Sequence, residues 1–148
     1  MEALKISAKY QVKKIFMAGY FLLILVGVFL ILGYLFEFFK IGFIKQFTPD
    51  FYFHVSNFSI SIIFYLGIGY SWMIQGVKFR YIAVLGAAMV IANVVCETVM
   101  GFMNTTDLVD AVYGIIGTAI GFVYMTLIYK YGLIPWGETD PARGGHNE

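Results

Sequence analysis

Four long apolar runs, separated by short polar connectors, set the pattern of this chain. Asp, Glu, Lys and Arg are absent from residues 15–36, 55–77, 81–96 and 111–129. Each run is close to the roughly 20 residues a helix needs to cross hydrocarbon, the third being completed beyond Glu97 to about Met103. The pattern predicts helices at about 15–36, 49–76, 81–103 and 107–131, with a basic lead-in over 1–14 and a flexible tail over 132–148. The expected fold is all-α, an antiparallel bundle of four transmembrane helices.

Polar residues inside these runs fall on stripes. Thr48-Pro49-Asp50 reads as the start of the second helix, with Thr as N-cap and Pro at the first helical position. At 100° per residue, His54, Asn57, Ser61, Tyr65, Trp72 and Gln75 then share one face, and Asp50 lies one turn before His54. In the third helix Gly86, Val90, Asn93, Glu97, Met100 and Asn104 share another. Asn104-Thr105-Thr106 is the expected cap of the fourth helix, with Asp107 and Asp110 in its first turn, where acids complement the helix dipole. Gly114, Gly117 and Gly121 continue below those acids on the same face. Small residues let backbones approach closely. The expected partner of this seam is the polar stripe of the third helix, which would turn both acids toward Glu97.

Composition agrees with a bilayer environment. The chain of 148 residues is 60% hydrophobic and only 13% charged. A soluble domain carries about 25% charged residues. The lipid bilayer is therefore the first partner. Net charge is +1, but its placement is uneven. Lys5, Lys9, Lys13 and Lys14 precede the first run, Lys78 and Arg80 lie between the second and third, and Lys130 and Arg143 follow the fourth. Only Lys40 and Lys45 fall in the first loop and none in the third. Basic residues favour the cytoplasmic side, so both termini are expected there. The first run is too long for a signal peptide and no small-residue cleavage site follows it. Cys96 is the single cysteine, which rules out a disulfide within the chain.

An ionisable side chain deep in an apolar run is costly in lipid and marks a candidate site. Glu97 is such a residue. The topology gathers Asp50, His54, Glu97, Asp107 and Asp110 at the end of the bundle opposite the basic loops, with Asn93 and Asn104 on the same stripe as Glu97. Four carboxylates and an imidazole could bind a divalent cation or serve as acid and base. The sequence contains no local metal-ligand spacing such as HxxxH, no serine nucleophile in a recognised setting and no phosphate-cradling glycine loop. No metal, cofactor or nucleic acid is expected. A cation pathway would need an oligomer, since four helices enclose little volume.

The residues also carry a resemblance. Asp50 and His54, then Glu97, then Asp107, Asp110, Gly117 and Gly121 match in spacing the polar motifs of VanZ-like membrane proteins. Phe51 stands for the family's Lys, Met100 for its Gln, Asn104 for its Arg and Gly114 for its Asn. The resemblance covers roughly residues 48–125. It implies a small multi-pass protein of the bacterial inner membrane, linked to glycopeptide resistance. The candidate partners beside the bilayer are an envelope ligand or another membrane protein.

Two functions from different classes follow. In one, the polar end binds an envelope ligand or partner without catalysis. In the other, a membrane-embedded enzyme acts on a lipid-linked or cell-wall substrate, with His54 and Glu97 as base and acid. The missing Arg and Gln favour the first, because an anionic substrate would need donors beside these acids.

Overall fold

The computed structural model describes residues 8–42, 50–99 and 107–137. The helix start expected at Thr48-Pro49, the expected site residue Asn104 with the cap at Asn104–Thr106, and the chain beyond Gly137 lie outside the described residues. In chain order the elements are β1 (Tyr10–Val12), α1 (Lys14–Leu35), a 3-10 turn (Glu37–Phe39), α2 (Phe51–Ile74), α3 (Phe79–Val99) and α4 (Leu108–Leu127). The last turn of α4 widens to a π-helical turn (Ile128–Gly132), and β2 (Leu133–Pro135) follows. The protein is an all-α four-helix bundle carrying one small two-stranded ribbon.

All four helices are long and apolar enough to cross a membrane. Their burial differs in a way that fixes their places. The most apolar window of α1 has a mean hydropathy of 2.8 and is 6% buried, whereas that of α2 has 1.4 and is 39% buried. A helix that is apolar all round belongs in lipid, and one carrying a polar stripe belongs against its neighbours. Phe21, Leu22 and Leu25 of α1 are each more than 60% exposed. Water would not tolerate such a continuous apolar surface, but a bilayer solvates it. This is a multi-pass membrane protein.

The core fills the half of the bundle away from Asp50. Tyr65, Leu66, Met73, Ile82, Met125 and Ile128 are fully buried there. The Tyr65 hydroxyl donates to the carbonyl of Ile82 at 3.0 Å, which answers its polar atom within the bundle. Gly76 adopts φ +79°, a left-handed conformation that glycine reaches without steric cost, and this lets α2 turn into α3 within four residues.

The glycine seam of α4 exists, but its main partner is α2. Gly117 lies directly against the Phe58 carbonyl, and a Cβ on Gly121 would sit 2.8 Å from Cδ1 of Tyr65. Only Gly114 meets α3, where it lies against the Asn93 amide. The helical wheel identifies the small face correctly; it cannot say which of two neighbouring helices fills it. Here α4 sits in the groove between α2 and α3, with its smallest positions under the bulky side of α2.

The lead-in and tail are also not free up to the expected boundaries. β1 and β2 pair antiparallel, with Gln11 opposite Ile134. The amide of Lys9 donates to Ile74 and that of Trp136 donates to Lys9, at 2.8 and 2.9 Å. Val12 and Ile134 are buried, so the ribbon closes the base of the core. Charge and composition alone suggested a basic lead-in over 1–14 and a flexible tail over 132–148. The alternation that buries one side chain per strand is too short to read against that background.

Candidate functional site

The described charges are segregated by end. Glu37, Asp50, Glu97, Asp107 and Asp110 lie at the ends of helices joined by the first and third loops. Lys9, Lys13, Lys14, Lys78, Arg80 and Lys130 lie at the opposite end, and Lys40 is the basic exception on the acidic side.

At the acidic end, α2 and α4 bring His54, Asp107 and Asp110 together. Nδ1 of His54 lies 2.8 Å from Oδ1 of Asp110 and 3.5 Å from Oδ2 of Asp107. Against an ionised carboxylate, which only accepts, the imidazole is the donor through Nδ1–H. Asp107 also holds the start of α4. Its Oδ1 accepts from the backbone amide of Val109 at 2.9 Å, which makes it the N-cap in place of the expected Asn-Thr-Thr segment. One carboxylate thus fixes the helix end with one oxygen and faces the imidazole with the other. Tyr113, one turn beyond Asp110, sets its ring 5.7 Å from that of His54.

These three side chains are partly accessible: 19% for His54, 39% for Asp107 and 17% for Asp110. One ligand atom from each lies within 4.8 Å of the others, a spacing that a metal ion could occupy. The lack of a local ligand motif in the sequence therefore does not carry into three dimensions. The ligands come from two helices more than 50 residues apart, which no local spacing can report.

Glu97 does not join this group. Its Oε1 accepts from the Asn57 amide at 3.1 Å, so the expected turn of Asp107 and Asp110 toward Glu97 is replaced by their approach to His54. The His54–Glu97 acid–base pair is replaced by two separate contacts one helical turn apart on α2. Asp50 is exposed, and its side chain forms no cap on α2. Its carbonyl accepts from Phe53 instead.

Asn93 is bound within the bundle. Its Nδ2 donates to Ser61 Oγ at 3.1 Å and to the Met89 carbonyl at 2.9 Å. His54, Asn57 and Ser61 thus form successive polar rungs along α2, meeting α4 at the first and α3 at the next two. Asn57 and Tyr113 were not singled out as site residues from the sequence. Asn57 lay on the polar stripe of α2, and Tyr113 lies three residues after Asp110, so helical spacing contained the signal for both.

The chain matches no family model, no curated protein and no solved structure.

Proposed function

We propose that this is a non-enzymatic membrane protein that binds an envelope ligand through the His54–Asp107–Asp110 group, in the manner expected of a VanZ-like protein. The observation that carries the reading is the direct hydrogen bond between His54 and Asp110. It joins the residues of the first motif to those of the last, which supports treating them as parts of one site. Two carboxylates and one imidazole, partly open to the end of the bundle, make a site for a ligand that bears a cationic group. The positive-inside bias supports an orientation with this end outside the cytoplasm and both termini within it. A bacterial inner membrane and a link to glycopeptide resistance rest on the motif resemblance.

The separation of Glu97 from His54 counts against the enzyme reading in its His54–Glu97 form. The same site without Glu97 retains a binding role.

The test is teicoplanin tolerance of cells expressing the wild type, His54→Gln or Asp110→Asn at equal membrane abundance. Tolerance conferred by the wild type and lost in both variants supports the proposal. Tolerance unaffected by either substitution, or absent in the wild type, overturns it.

A further inference from the structure

The basic end of the bundle contains a cavity remote from the acidic group. With a volume of about 570 Å³, it opens between β1, the α2–α3 turn and the end of α4. It is lined by Lys78 and Lys130, by Tyr10 and Tyr129, and by the apolar residues Met73, Val77 and Leu133. Among the described residues no carboxylate pairs with either lysine, and all five described acids lie at the other end. A third lysine crosses its edge: the stem of Lys9 packs over Gly76, another lining residue.

We propose that this cavity binds the phosphate of an anionic lipid headgroup. Lysine is a strongly hydrated point charge suited to phosphate, and the tyrosine hydroxyls add neutral donors. Two cations with no acidic counterpart among the described residues, held on separate elements around one cavity, leave a charge for an anion to balance. The depth of the site selects a lipid over free phosphate. Tyr129, Tyr131 and Trp136 are 49%, 60% and 67% exposed around this end, and exposed Tyr and Trp mark the headgroup level of a membrane protein. Basic pockets at that level, between transmembrane helices, hold anionic headgroups. Val77 and Leu133 supply the apolar wall along which a glycerol backbone enters the bilayer.

The fold also explains why the cavity persists. The β1–β2 ribbon holds Tyr10 and Leu133 against the helix ends, and the left-handed Gly76 brings the α2–α3 turn back under Lys9. Its walls are set by backbone pairing, so the lysines gather around a defined space.

The full chain, purified in a nonionic detergent, is titrated with phosphatidylglycerol or phosphatidylcholine and read by native mass spectrometry. The wild type is expected to retain one phosphatidylglycerol per chain in preference to phosphatidylcholine. The double variant Lys78→Gln/Lys130→Gln should weaken that retention by roughly tenfold or more, on a scale set by the contribution of each lysine near an anionic surface. Lys14→Gln, at the same end but outside the cavity, should leave it unchanged. A helical circular dichroism spectrum identical to that of the wild type confirms that the double variant is folded. Equal retention of the two lipids, no loss in the double variant, or equal loss in Lys14→Gln would each overturn the proposal. A competition arm with inorganic phosphate separates the sources: displacement of the lipid by equimolar phosphate would assign the cavity to the free anion and overturn the lipid assignment.

Discussion

Gly117 of α4 lies against the main-chain carbonyl of Phe58 in α2, with no room for a β-carbon between them. The two central helices therefore touch backbone to backbone at this level. Gly117→Leu is expected to lower bundle stability by about 1–3 kcal/mol, the usual cost of overpacking. Val112→Leu, on the exposed side of α4, should cost little. Melting curves of the two variants in detergent check this, and equal tolerance of both would remove the seam from the account.

The His54–Asp110 contact joins α2 to α4 at the mouth of the bundle. A double-mutant cycle with His54→Gln and Asp110→Asn should show a coupling of roughly 1 kcal/mol, within the range measured for polar contacts between membrane helices. Strict additivity of the two losses would mean that the pair makes no energetic contact.

Glu97 faces Asn57, and this half-buried acid is therefore held by an amide donor. Glu97→Gln retains an oxygen that can accept this bond, so stability should change by only a few tenths of a kcal/mol. Glu97→Leu leaves the partly buried Asn57 amide unanswered and should cost about 1–2 kcal/mol. The comparison of melting points decides it. A leucine variant as stable as the glutamine variant would show that Asn57 finds another partner.

Four membrane crossings put the 3-10 turn after α1 and the turn after β2 on opposite sides. In a Cys96→Ser background, Phe38→Cys and Trp136→Cys are both at highly exposed positions, 91% and 67%. An impermeant thiol reagent applied to one face of sealed vesicles should modify one and spare the other. Labelling of both from the same side is incompatible with the three crossings that separate the two positions and would break the topology.

The four helices were legible in the sequence because the requirement to satisfy backbone polar groups in hydrocarbon leaves a helix as the only economical reading of a long apolar run. The polar face of α2, the small face of α4 and the segregation of charge followed from periodicity and position. The choice of partner did not. Gly117 and Gly121 could lie under either α2 or α3, and Asp107 and Asp110 could turn to Glu97 or to His54, since a helical wheel reports direction about one axis and nothing about the neighbour in that direction. Packing decided it: the volume of Tyr65 and the backbone of Phe58 fill the groove that the glycines leave, and this brings the first turn of α4 alongside His54. The ribbon of Tyr10–Val12 with Leu133–Pro135 likewise joins segments more than 120 residues apart, through backbone hydrogen bonds that no side-chain pattern encodes. The sequence by itself determined what crosses the membrane and where its charges lie; the tertiary contacts alone decided which polar groups meet.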